Sequence, residues 1–125
     1  MEQINTLTGP AGRILLGGFW LYFGLTKLGG IEGLQGYMAS QGVPGFLVYA
    51  VIALEIGGGL ALLAGAFSRY AALLLALFSL ATAFLFHNVF ADPGELNNFA
   101  KNIAIAGGLL MITTNGPGRF AVNQA

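Results

Sequence analysis

Residues 46–67 read FLVYAVIALEIGGGLALLAGAF, an unbroken apolar run whose single charge is Glu55. About 20 such residues, rising 1.5 Å each, cross the roughly 30 Å hydrocarbon layer of a bilayer, so the run is long enough to be a transmembrane helix. Only Ser68 and Arg69 separate it from a second run, residues 70–91, which carries no formal charge and closes near His87. Two long apolar helices joined by so short a link form an antiparallel hairpin. Working outward, residues 11–28 make a further apolar stretch with Arg13 and Lys27 near its ends, both placed to snorkel toward water. Residues 99–114 make a fourth, shorter one with Lys101 and Asn102 at its start.

Composition agrees with a bundle in lipid. The chain is 56% hydrophobic and 8% charged, against about 25% charged residues in soluble domains, and its mean hydropathy is +0.76. Twenty glycines would weaken water-soluble helices, yet small residues are what membrane helices use to approach one another. The net charge of zero leaves no basic footprint for nucleic acid. The absence of cysteine removes thiol nucleophiles, disulfides and iron–sulfur ligation, and one histidine is too few for a bis-histidine haem. The sequence predicts a single domain over residues 1–125, an all-α membrane protein with a bundle of four transmembrane helices. The first span has no basic residue before Arg13 and no small-residue cleavage site, so it is expected to be retained rather than removed as a signal peptide.

The connections add detail. Between the first two spans, Ile31, Leu34, Tyr37 and Met38 recur at helical spacing. This predicts a short amphipathic helix on the bilayer surface, ended near Gly42, with Pro44 opening the next span. Asp92 to Asn98 form a polar turn before the last span. Arg13, Arg69 and Arg119 fall on one side of the bundle and Lys27 and Lys101 on the other, which places both termini in the cytoplasm.

With that topology the ionisable residues gather toward the outer face: Lys27 on the first span, Glu55 on the second, His87 on the third, Lys101 and Asn102 on the fourth. Glu55 is expected to face a neighbouring helix, because Gly58 and Gly59 share its side, and Ala72, Ala76, Ser79, Ala83 and His87 form a packing stripe on the third span. A charge in a bilayer costs about 2.5–3.5 kcal/mol on insertion scales, so it is normally paired and often functional. Two uses compete here. Glu55 neutralises Lys101 or Lys27 and fixes helix register, or the cluster lines an outward pocket for a head group, a quinone or an anion. Phe84, Phe86, Phe90 and Phe99 would suit a quinone ring and suit lipid equally.

The run Phe23-Gly24-Leu25-Thr26-Lys27-Leu28, then Gly42-Val43-Pro44, resembles the DoxX family of small bacterial membrane proteins. So do Glu55-Ile56-Gly57-Gly58 followed by Gly65 and Arg69, the histidine closing the third span, and Lys101-Asn102 with Gly107-Gly108 and Gly116-Pro117-Gly118. The resemblance covers residues 10 to 123, although Arg119-Phe120-Ala121-Val122-Asn123 departs from the family's usual ending. It implies a four-helix protein of the cell inner membrane, some of whose relatives are linked to thiosulfate:quinone oxidoreductase and to oxidative or thiol stress. More distant ones act as membrane chaperones or cargo receptors. The family's recurring polar positions fall on Glu55, Arg69, His87, Lys101 and Asn102.

The expectation is therefore a quinone-interacting, redox-associated subunit. Glu55, His87 and Lys101 are candidate catalytic groups, Lys27, Arg69 and Asn102 candidate binding groups, and no metal or intrinsic cofactor is expected beyond a possible quinone. Its partners would be membrane lipid, a further copy of itself or a redox complex. The alternatives are a non-catalytic assembly module held by a Glu55–Lys101 pair, and a small-solute transporter that would need to dimerise.

Overall fold

The computed structural model describes residues 2–86 and 92–125, so His87 and Phe90 lie outside the described residues. Among the described residues five α-helices follow in order: α1 (Glu2–Lys27), α2 (Ile31–Ser40), α3 (Val48–Ala64), α4 (Ser68–Phe86) and α5 (Pro93–Asn115), with a 3-10 turn at Gly45–Leu47 before α3. No strand occurs among the described residues.

The helix ends follow from local chemistry. α5 opens on Asp92, whose carboxylate accepts from the Gly94 N–H at 2.9 Å, with Pro93 in the first turn, where its missing N–H costs nothing. α3 ends on Gly65, which takes φ 70. The Ala66 N–H then reaches back to the Ala61 carbonyl at 2.9 Å, closing the last turn in a Schellman motif. α2 ends the same way at Gly42, as the sequence predicts, with the Val43 N–H donating to the Met38 carbonyl.

Three expectations need correction. The polar turn expected from Asp92 to Asn98 is not a turn: α5 is helical from Pro93 on, because Asp92 as N-cap and Pro93 in the first turn start a helix. α1 begins at Glu2, well before residue 11, and runs through Pro10 without stopping; Pro10 is buried, with Gly118 of the C-terminal segment packed against it. Arg13 is therefore inside a helix rather than at its end. It is 1% exposed and does not snorkel.

By length and apolarity, two helical stretches among the described residues qualify as membrane spans, Gly45–Ala64 and Ser68–Phe86. A third qualifies if α1 and α2, bent by 97°, make one span. α5 has 23 residues, but Asn97, Asn98, Lys101 and Asn102 dilute its apolar character. The predicted amphipathic helix is α2. It meets the bundle through Met38, which packs with Val48 and Ile52 of α3.

α1 lies against α3, and α5 against α4, with α3 and α4 joining the two pairs. Glycine makes the first contact. A Cβ on Gly59 would stand 2.6 Å from the Leu21 nitrogen, and one on Gly17 2.9 Å from the Gly59 carbonyl oxygen, so the two backbones touch where a side chain would separate them. The expected stripe on α4 is a packing face, since Ala72, Ala76, Ser79 and Ala83 are all fully buried. Leu15, Leu74, Leu77 and Met111 point outward and stay exposed, which suits surroundings as apolar as themselves. The bundle thus has two distinct ends. One holds the C-terminal segment; the other holds the pocket.

Candidate functional site: an aromatic pocket with a buried ion pair

Lys27 occupies the last turn of α1, where a cation is favoured by the helix dipole. Its ammonium donates to Glu55 Oε1 of α3 at 2.7 Å. The carboxylate is 1% exposed and the lysine side chain 28%, so the pair is buried on the acid side and open on the base side. The approach is possible because Gly24, one turn before Lys27, has no side chain. A Cβ there would fall 3.0 Å from the Glu55 Cβ. Of the two lysines expected as partners, Glu55 takes Lys27, on the helix packed directly on it, so the Glu55–Lys101 pair of the assembly-module alternative does not form. α5 lies chiefly against α4, which leaves Lys101 exposed at the edge of the same pocket.

Around the pair lies a cavity of about 240 Å³, lined by Phe19, Trp20, Phe23 and Lys27 of α1, Leu34, Tyr37 and Met38 of α2, Val51 and Glu55 of α3, Phe78, Thr82 and Phe86 of α4, and Lys101 and Asn102 of α5. The rings pack on one another: Phe19 on Trp20 at 5.3 Å and 87°, Trp20 on Phe78 at 5.9 Å and 60°, and Tyr37 on Phe86 at 5.5 Å. α2 covers one side, with the Tyr37 hydroxyl at 3.4 Å from the Phe86 carbonyl oxygen. Asn102 is fixed by two contacts with α4. Its side-chain amide donates to Thr82 Oγ1 at 3.1 Å, and its backbone carbonyl accepts from Ser79 Oγ at 2.9 Å. An apolar, ring-lined cavity with a few convergent polar groups is the usual form of a small-molecule site.

The chain matches the family model named DoxX over residues 10–88. It belongs to the DoxX family. It is 41% identical to inner membrane protein YqjF of Escherichia coli (strain K12) over 99% of this chain and 95% of that one. It is 32% identical to inner membrane protein YphA of the same organism over 90% and 85%. A shorter match, 34% identical over 52% of this chain and 48% of the other, is to the Bacillus subtilis (strain 168) protein named "Putative oxidoreductase CatD". No solved structure gives a significant match. This is a DoxX-family membrane protein with apolar helices.

Of the candidate residues in this DoxX chain, Lys27, Glu55, Lys101 and Asn102 come together at the pocket. His87 lies outside the described residues. Arg69 is at the opposite end, where its guanidinium donates to the carbonyl oxygens of Thr114 at 2.7 Å and Gln124 at 3.3 Å. Phe86 lines the pocket, whereas Phe84 and Phe99 stack edge-on at 5.2 Å outside it. Sequence reasoning missed the α1 rings. Trp20, Phe23 and Lys27 are spaced by three and four residues and so share a helix face; that periodicity carried the signal.

Proposed function

We propose that this DoxX chain is a four-span subunit of the inner membrane that binds a quinone in the aromatic pocket and works with a redox partner. The pocket itself is the observation that carries the reading: rings for the quinone plane, with Lys101 and Asn102 as donors for its oxygens. The name of the Bacillus subtilis relative supports a redox association, and the names of the two Escherichia coli relatives support the inner membrane. α1 and α5, with 26 and 23 residues, are each long enough to cross about 30 Å of hydrocarbon, which supports four spans. Arg13, Arg69 and Arg119 stand together at the tail end, which supports cytoplasmic termini.

In this reading the Phe19, Phe23 and Phe78 rings exclude water and hold the quinone ring by stacking. Glu55 keeps Lys27 in place, and Glu55, Lys101 and His87 are the groups available to pass a proton to a quinone oxygen. The chain has no cysteine, so the electrons come from outside it, from thiosulfate or from a partner subunit. Two thiosulfates joined as tetrathionate release the two electrons, and solvent supplies the two protons, that convert a quinone to its quinol.

Trp20 is the single tryptophan, so its emission reports the pocket directly. Titration of the purified protein with a short-tailed benzoquinone is expected to quench it saturably, and Lys101→Ala together with Asn102→Ala is expected to weaken the effect. Absence of saturation refutes quinone binding. Equal thiosulfate-dependent quinone reduction by the wild type, Glu55→Gln and His87→Ala refutes a catalytic role for those groups.

A second reading, a non-catalytic assembly module, is favoured by one observation: the buried carboxylate of the Lys27–Glu55 pair ties α1 to α3. It requires that deletion of the protein change the level of another membrane protein while quinone turnover stays constant.

A further inference from the structure

Among the described residues, two ammonium groups line the pocket and one carboxylate answers them. Lys27 and Glu55 neutralise each other. Lys101 is left over. It is exposed, it lines the same cavity, and its ammonium makes no ion pair or hydrogen bond with a described residue. Glu95 lies near enough to Tyr37 to act on its hydroxyl, but it does not line the cavity. The pocket thus carries an excess positive charge, and it belongs to a group that a ligand can reach. The Glu55 carboxylate, 1% exposed, is out of reach and already taken.

The level of Lys101 in the bundle matters. Its neighbour Asn102 bonds to Thr82, one helical turn, about 6 Å, inside the described end of α4. The walls beyond it are the rings of Phe19, Trp20 and Phe78. Water hydrates an exposed ammonium well. A ligand whose apolar body fills the ring-lined part strips some of that water, and an uncompensated charge beside apolar surroundings is costly. A neutral carbonyl returns an ordinary hydrogen bond. An ionised oxygen returns a charge-assisted one, roughly twice as strong.

We propose that the pocket takes its ligand as an anion, with an apolar ring among the aromatic side chains and one ionised oxygen group held by the Lys101 ammonium. This rests on the quinone reading and narrows its substrate class from neutral quinones to ionised hydroxyquinones. Aromatic carboxylates share the required chemistry.

Two naphthoquinones of nearly equal size separate charge from shape: one bears a methyl group, the other a hydroxyl in its place. That hydroxyl is a vinylogous carboxylic acid, so the second compound is an anion at neutral pH. The cysteine-free chain offers neither a thiol to add to. Calorimetric titration of the full-length protein in a maltoside micelle, with naphthoate as a quinone-free acid in a third arm, reads all three affinities. The hydroxyquinone is expected to bind about tenfold more tightly than the methyl compound. Lys101→Gln is expected to abolish that preference and Lys101→Arg to keep it. Equal binding of the two quinones overturns the anion assignment and leaves quinone binding standing. A preference that survives in Lys101→Gln overturns the role of Lys101. Naphthoate binding as tightly as the hydroxyquinone, with no binding of the methyl compound, supports the anion site and sinks the quinone reading. If none of the three binds, both fall.

Discussion

Replacing Arg13 by methionine tests the tail end of the bundle most directly. The guanidinium is 1% exposed and makes five bonds, to the carbonyl oxygens of Leu62 (2.7 Å), Leu63 (3.2 Å), Pro117 (3.0 Å), Arg119 (3.2 Å) and Phe120 (3.0 Å). The first two are last-turn carbonyls of α3, at the negative end of the helix dipole, and the Leu62 oxygen also accepts from the Gly65 N–H at 3.3 Å. The other three belong to the segment after α5. Arg13 is thus the clasp between helix end and tail. At about 1 kcal/mol net per bond the five sum to about 5 kcal/mol. Methionine recovers part of that, because a guanidinium no longer has to leave water. A loss of about 2 to 4 kcal/mol remains, or a fall of about 10 °C in the detergent melting midpoint. Arg13→Lys keeps the charge but has three donors on one atom, so it falls between the two. Thermal unfolding read by circular dichroism, with carboxypeptidase digestion as a measure of tail release, checks both variants. A methionine variant whose midpoint stays within about 2 °C of the wild type, and whose tail remains protected, would refute the clasp.

Glu55→Gln leaves the Lys27 ammonium without its counter-charge, and a drop of about 1 to 3 kcal/mol in detergent stability is expected because the lysine is partly open to water. The double change Lys27→Met with Glu55→Leu should restore much of it. A double variant as unstable as the sum of the singles would show that the residues act independently. Gly59→Ala places a Cβ 2.6 Å from the Leu21 nitrogen and should cost at least about 1 to 3 kcal/mol by forcing α1 from α3. Gly57→Ala meets nothing within 4 Å and should be neutral or stabilising by up to about 1 kcal/mol. Comparable melting points for the two alanine variants would contradict the close α1–α3 contact.

Several local features were readable because their causes are local. The stop of α2 at Gly42 and the tight α3–α4 hairpin follow from turn residues beside apolar runs, whereas the polar segment after Asp92, read as a turn, is helical from Pro93 on. The packing stripe on α4 followed from spacing alone. The start of α1 did not: the apolar run opens only at residue 11, so hydropathy marks no helix before it, and Pro10 inside the helix has Gly118 of the tail packed against it. Arg13 was misread for a related reason. An arginine near the end of an apolar stretch normally reaches for water, but here a tail more than a hundred residues away supplies carbonyls instead.

The apolar runs around Glu55, with few charges and no cysteine, were enough to determine a helical membrane protein with an ionisable group deep in its second apolar run. Hydropathy is a property of each segment, set one residue at a time, so no knowledge of neighbours was needed. Which cation answers Glu55 was a matter of tertiary structure. Lys27 and Lys101 are equivalent in sequence, and the choice between them rests on the glycine contact that sets α1 directly on α3. The same packing turns Trp20 and Phe23 inward beside Phe78, making a pocket from residues on separate helices. Partner choice and cavity shape depend on which helices touch, and backbone approach in the folded bundle decides that.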